Sequence, residues 1–167
     1  MIVIEKATTI ADFREAHALI MAMGQWDVEQ CQAHGLPSKD VISAYYSLDA
    51  AGLLKHCTQP DTGLYLARQS ALALGCVGYG VHGDTAEIFK FYVRPTARGK
   101  GVGTRLMAAV LDAIGQQKVH RVNLVTIAFM TDAISLYRKY GFRDCHPFEP
   151  APAGLEAATR YMEMTIR

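Results

Sequence analysis

The apolar positions along this chain switch between two spacings. Ile2, Val3 and Ile4 open a short strand over 2–6. Thr9 followed by Asp12 is a capping-box signature, and Phe13, Ala16, Ile20 and Met23 then recur at helical spacing until Gly24 punctuates the helix. Residues 25–37 carry no clear period. Ser38 is placed to cap a second helix bearing Val41, Tyr45 and Leu48, which fades before the turn-rich TQPDTG. From there the period becomes two. GLYLARQ (63–69) and ALGCVGYGVHG (73–83) predict an antiparallel pair, Gly83–Asp84 a tight turn, and AEIFKFYV (86–93) a further strand stopped by Pro95. Leu106, Met107, Val110, Leu111 and Ile114 mark one face of a helix that Gly115 closes. VHRVNLVTI (119–127) is a strand, TDAISLYRKYG a short helix ending at Gly141, and FRDCHPF and TRYMEMTIR are two closing strands, with Pro147, Pro150 and Pro152 between them. The order β-α-α-β-β-β-α-β-α-β-β interleaves helices with a mainly antiparallel sheet, which is α/β or α+β.

The 167 residues fit one domain, 1–167, and with half of them apolar they can bury a sizeable core. A formal net charge of +1, with no run of like charge, excludes the footprint of a nucleic-acid binder or a polybasic membrane patch. No secretory signal is expected from MIVIEKATT, which has neither a basic lead nor a long apolar region, and LALGCVGYGV is too short to span a bilayer. Cysteines at 31, 57, 76 and 145 form no C-x-x-C, so no disulfide framework is expected and a cytoplasmic setting is. Cys31 and His34 have ligand spacing, but His56 and Cys57 are adjacent, so no metal is expected.

RPTARGKGVGTRL (94–106) is where chemistry first shows. A strand end, alternating Gly99, Gly101 and Gly103, and a helix start build an anion site. The first helical amides lack internal partners, and glycine removes the Cβ that would hold a phosphate off the backbone. Arg98 and Lys100 can add charge. The dinucleotide fingerprint fails at Thr104 and Leu106, and no P-loop is present.

What remains is R-x-x-G-x-G on Arg98, Gly101 and Gly103, and here the chain resembles the GNAT N-acetyltransferase family, in particular its small bacterial members. AEIFKFYV with RPTARGKGVGTRLM is similar to that family's central strand and acetyl-coenzyme A loop. AISLYRKYGF resembles its late L-Y-x-x-x-G-F helix, and GLYLAR…LGCVGYGV the hairpin before the central strand. The resemblance runs from about residue 60 to 146. It implies a mixed, mostly antiparallel sheet of six to seven strands, flanked by helices and splayed at the central strand.

The resemblance also implies roles. Backbone amides over Arg98, Gly99, Lys100, Gly101, Val102, Gly103 and Thr104 would hold the pyrophosphate of acetyl-coenzyme A. Phe91, Tyr92 and Val93 would receive the pantetheine arm as an added strand, with the N–H of Val93 or Tyr92 facing the thioester carbonyl. Tyr137 stands where the family keeps a tyrosine near the coenzyme sulfur. It would protonate the leaving thiolate, or donate a hydrogen bond to it, since full proton transfer from pKa ~10 to ~8.5 is uphill by about 2 kcal/mol. The alternative is a core tyrosine sharing a helical face with Ile134. Glu87 is the candidate base; strand alternation puts it on one face with Phe89, Phe91 and Val93. Its alternative is a solvated rim carboxylate. One departure is Met130, where many members carry asparagine. Trp26, Tyr45 and Tyr46 fall in the helices that cover the family's acceptor pocket, though core packing is the more frequent explanation for aromatic residues there. His82 and His146 could border the same cleft.

These residues imply direct acetyl transfer from acetyl-coenzyme A to a primary amine through a tetrahedral intermediate, with no acyl-enzyme. A lysine-type amine needs ~4.6 kcal/mol to supply its neutral form at pH 7, an α-amine about 1 kcal/mol, so the demand on a base depends on the acceptor. Balanced charge favours a small-molecule acceptor. The alternatives are a protein lysine or N-terminal acetyltransferase and a non-catalytic coenzyme A sensor. A homodimer is compatible with the sequence, which does not fix the oligomeric state.

Overall fold

A computed structural model describes residues 1–166. Arg167, the last residue of the expected closing strand, lies outside the described residues. Strand β1 (Ile2–Lys6) leads into helix α1 (Ile10–Ala33), α2 (Val41–Tyr45) and α3 (Ala50–Cys57). Strands β2 (Thr62–Gln69), β3 (Leu72–His82) and β4 (Thr85–Val93) follow, then a 3-10 turn (Pro95–Ala97), α4 (Val102–Gly115), β5 (Arg121–Ile127), α5 (Thr131–Lys139), β6 (Arg143–Asp144) and β7 (Thr159–Thr165).

The seven strands form one sheet in the order β1-β2-β3-β4-β5-β7-β6. Every neighbouring pair is antiparallel except β4–β5, which is parallel and pairs only from Thr85–Arg121 to Ile88–Leu124. Beyond Ile88 the two strands part, so the second half of β4 offers a free edge in the middle of the sheet.

Two cores cover the two faces. On one face α4 lays Leu106, Met107, Val110 and Ile114, all fully buried, against Val77, Ile88, Val122 and Leu124. On the other, α1 lays Phe13, Ala16, Leu19 and Ile20 against Leu64, Leu66 and Cys76. Arg68 ties β2 to the start of α1 and to β1: its guanidinium reaches Asp12 at 2.7 Å, and Glu15 and Glu5 each at 3.0 Å. The Thr9–Asp12 capping box forms as the sequence predicts.

The first departures come in the helices before residue 60. Helix α1 does not stop at Gly24 but runs on to Ala33. A Cβ at Gly24 would stand 2.8 Å from Ile42 Cδ1 and 3.0 Å from the Tyr46 ring, so this glycine admits α2 rather than ending α1. The expected second helix is two: α2, flanked by Asp40 rather than Ser38, and α3, capped by Asp49, whose Oδ1 accepts from the Gly52 N–H at 2.8 Å.

A third departure lies in β4. Lys90 has φ +53°, and the register against β3 shifts between Cys76–Tyr92 and Gly78–Phe89. The extra residue is a bulge. It reverses the alternation, so Phe89 and Lys90 face α1–α3 while Phe91 and Val93 face α4 and α5. The expected single face of Glu87, Phe89, Phe91 and Val93 is therefore corrected: Glu87 keeps the face of Phe89, and Phe91 and Val93 take the other.

Candidate active site

The splay between β4 and β5 opens a cleft of about 740 Å³. Its walls include Phe91, Tyr92 and Val93 from β4, Arg98, Gly99, Gly101, Val102, Gly103 and Thr104 from the loop and start of α4, and Trp26 and Phe129 opposite. Of the residues expected to hold the cofactor, Lys100 alone is not part of this wall.

Gly99 and Gly101 have φ of +73° and +77°, conformations that L side chains avoid. Neither would-be Cβ meets another atom within 4 Å, so the space above the loop is open. Gly101 is the residue flanking α4, with no side chain closing the helix end. Among the described residues, no backbone amide from 99 to 104 donates a hydrogen bond, whereas the Arg105 N–H is taken by the Gly101 carbonyl. A row of free amides at a helix N-terminus, with nothing above it, fits a diphosphate.

Hydrogen bonding to β3 orients the free edge of β4. The Arg94 N–H donates to the Leu74 carbonyl, so in the antiparallel register Val93, paired with Gly75, turns its own N–H away from β3 and into the splay. That choice separates Val93 from Tyr92, which the sequence left as equals. The Val93 carbonyl accepts from Arg98 Nε at 3.1 Å. The Arg98 guanidinium also lies 5.4 Å from the centre of the Trp26 ring, spanning the mouth of the cleft.

A second cavity of about 230 Å³ adjoins the first; Met23, Phe91, Met130 and Ala133 belong to both. Glu87 and Tyr137 both line it, with Asp27, Tyr45, Tyr46, Lys90 and Glu149. Tyr137 is 6% exposed, and its ring packs 5.8 Å from Phe91 and 6.0 Å from Phe142. Burial pushes its phenol well above the ordinary tyrosine range. No protein hydrogen bond to its hydroxyl is present among the described residues. Burial also raises the Glu87 carboxyl, aided by Glu149 and opposed by His82 and Lys90.

Asp27 is the group that sequence reasoning passed over. It sits on the buried face of α1 at 5% exposure, and burial raises its carboxyl to about 6 against the hydrogen bond from the Tyr46 hydroxyl. The Lys90 ammonium, whose pKa burial lowers, donates to the Tyr45 carbonyl and lies 4.4 Å above the Tyr46 ring. A signal for Asp27 existed: Ile20, Gly24, Asp27 and Cys31 continue the helical spacing, with a polar residue where an apolar one belongs.

Met130 begins α5 without a side-chain cap, and its sulfur accepts from the Thr126 hydroxyl at 3.4 Å. Tyr45 and Tyr46 line the smaller cavity; His82 and His146 line neither. His34 stacks on Phe129, with ring centres 4.7 Å apart. Cys31 and Cys57 are buried free thiols.

Comparison with known proteins agrees with this architecture. Residues 23–142 match the acetyltransferase (GNAT) family. The IAA acetyltransferase of Azospirillum brasilense is 32% identical over 115 residues, which is 68% of this chain and 74% of that protein. The PaiA N-acetyltransferase of Thermoplasma acidophilum, solved with coenzyme A, superposes with a TM-score of 0.75 at 18% identity, covering 99% of each chain. The ribosomal-protein-S18-alanine N-acetyltransferase of Escherichia coli gives a TM-score of 0.68 at 18% identity, over 99% of this chain and 94% of that one. An acyltransferase fold with a coenzyme-sized cleft is thus matched by sequence, and this chain belongs to the GNAT acetyltransferase family. The acetyl donor of that family is acetyl-coenzyme A. Among the described residues no helix is long and apolar enough to cross a membrane.

Proposed function

We propose that residues 1–167 act as one cytoplasmic N-acetyltransferase domain that moves an acetyl group from acetyl-coenzyme A directly to a primary amine of a small molecule. The observation that carries this reading is that Glu87 and Tyr137 both line a cavity of about 230 Å³ beside the larger cleft. That volume lies below the usual range for drug-sized ligands, which suits a small acceptor better than a folded polypeptide segment.

Acetyl-coenzyme A supplies an activated thioester. The amides of residues 99–104 hold its pyrophosphate, and Phe91, Tyr92 and Val93 receive its pantetheine arm along the open edge of β4. The Val93 N–H donates to the thioester oxygen, where negative charge develops during attack. Glu87, raised by burial, takes the proton of the acceptor ammonium. Tyr137 keeps its own proton, because burial makes its phenol a still weaker acid. It stabilises the departing thiolate by donating a hydrogen bond.

The experiment is a free-thiol release screen with amino acids, polyamines, aminoglycosides and short peptides. Turnover confined to small amines is expected. Turnover on peptides alone would replace this acceptor class, and acetyl-coenzyme A binding without turnover on any amine would leave a sensor.

A further inference from the structure

Val93 turns its carbonyl as well as its N–H away from β3, because both groups of one residue in an antiparallel register point the same way. That carbonyl stands on the open stretch of β4, where an extended ligand pairing with the strand needs it as an acceptor. It has a partner within the chain. Arg98 folds back from the loop, and its Nε donates to the Val93 carbonyl at 3.1 Å. The same guanidinium lies 5.4 Å from the centre of the Trp26 ring, which α1 holds on the opposite wall of the cleft. Trp26 is itself propped: its ring sits 6.4 Å from Phe129, which stacks on His34 at 4.7 Å. No salt bridge among the described residues includes Arg98. An exposed cation beside a row of free amides thus gives its hydrogen bond to a neutral carbonyl and its face to an indole.

We infer that Arg98 is a latch across the coenzyme cleft, with Trp26 as its keeper: the guanidinium competes with the pantetheine arm for the Val93 carbonyl, and the diphosphate releases it by drawing it away. This rests on the reading of the larger cleft as the seat of acetyl-coenzyme A and adds a coupling between the two halves of that molecule. A guanidinium–phosphate pair carries charge on both sides and is often bidentate. It outweighs one bond to a neutral carbonyl and an exposed cation–π contact. Val93 and Trp26 both belong to the cleft wall, so the guanidinium between them lies across the path of the arm as well as on the carbonyl. Trp26 is then a positioning residue of the coenzyme mouth and not a wall of the smaller cavity, which it does not line. Because diphosphate and arm both favour the released latch, each helps the other to bind.

Trp26 is the chain's single tryptophan, so its emission reads the latch directly. Inorganic pyrophosphate, which carries the charge without the arm, is titrated at constant ionic strength, and coenzyme A beside it, with calorimetry on both. Each is expected to shift the emission of the wild type. Arg98→Met keeps the aliphatic stem and loses the latch, so pyrophosphate should leave its emission unmoved. Its affinity for pyrophosphate should fall about tenfold, while its affinity for pantetheine, followed by ligand-observed NMR, should rise roughly 3- to 10-fold. The opposed signs are the signature. A plain phosphate ligand would leave pantetheine binding unchanged, and a structural arginine would weaken both; either result overturns the latch. Wild-type emission that pyrophosphate does not move also overturns it, and decides alone if the variant does not fold. Heat from coenzyme A with still emission removes the latch and keeps the coenzyme site. No heat from coenzyme A removes both.

Discussion

Glu87 and Phe91, four residues apart on one strand, lie on opposite faces of the sheet because Lys90 between them holds φ +53°. The bulge keeps Glu87 on the side covered by α1–α3, where Asp27 and Lys90 also sit, and sends Phe91 toward Tyr137 on α5, at 5.8 Å. Glu87 and Tyr137 thus flank the gap between β4 and β5 from opposite sides of the sheet.

Gly101 tests the phosphate cradle. Ala at φ +77° should cost about 1–2 kcal/mol of stability and put a methyl group into the open space over the free amides. Calorimetry with acetyl-coenzyme A should show affinity lowered by about tenfold or more. Gly115→Ala is the control. It also meets nothing within 4 Å but needs no positive φ, so it should bind normally and gain up to about 1 kcal/mol. Equal affinities for the two variants would dismiss the cradle.

Tyr137→Phe should lower kcat by about 100-fold with little change in KM or melting temperature, because the hydroxyl supports no protein hydrogen bond among the described residues. The alkaline side of the kcat profile should show no limb in the ordinary tyrosine range, since burial has moved that titration upward. A variant with wild-type kcat would return Tyr137 to the status of a packing residue.

Glu87 must be ionised to accept a proton. As pH falls through its raised pKa, kcat/KM should fall with it, at a pH above the ordinary glutamate range. Glu87→Gln should lose that limb and run at a low rate set by the small fraction of neutral amine. An unchanged profile in the glutamine variant would hand the proton to water or to another group.

Asp27 makes an opposite-sounding prediction for stability. Its carboxyl is raised by burial to about 6 from an unfolded value near 3.8, so the folded state holds the proton more tightly. The resulting stabilisation is fully present below the unfolded value and is lost as pH rises through about 6. The difference corresponds to about 3 kcal/mol between the two limits. Asp27→Asn should therefore gain stability relative to wild type at pH 8 and lose that advantage by pH 4. Urea unfolding of both proteins at the two pH values measures this directly, and parallel curves would contradict it.

The parts of this site that were legible in the sequence are those whose chemistry is local. Gly99, Gly101 and Gly103 before an amphipathic helix mark by themselves the loop whose amides are free, and the period-two strands and the L-Y-x-x-x-G-F helix carry their own patterns. Spacing along α1 marks Asp27 as a buried position, but its chemistry was not legible, because that depends on Tyr46, nineteen residues on, and on a strand that arrives later still. Gly24 misled for the same reason: a glycine that admits a neighbouring helix looks like one that ends its own. The bulge at Lys90 leaves no mark in the alternation of AEIFKFYV, since Phe91 and Val93 are apolar and suit either face. Burial of a lysine against a tyrosine ring settles it, and that contact joins segments more than forty residues apart in sequence.

The parting of β4 from β5 after Ile88 has a consequence for the protein's life between turnovers. An open strand edge in the middle of a sheet is a template for pairing with an extended chain, a partly unfolded copy of itself included. Cofactor seated along that edge would occupy the same groups. If the proposed function holds, the ligand-free protein is expected to self-associate more readily than the coenzyme-loaded one, which light scattering with and without coenzyme A would read.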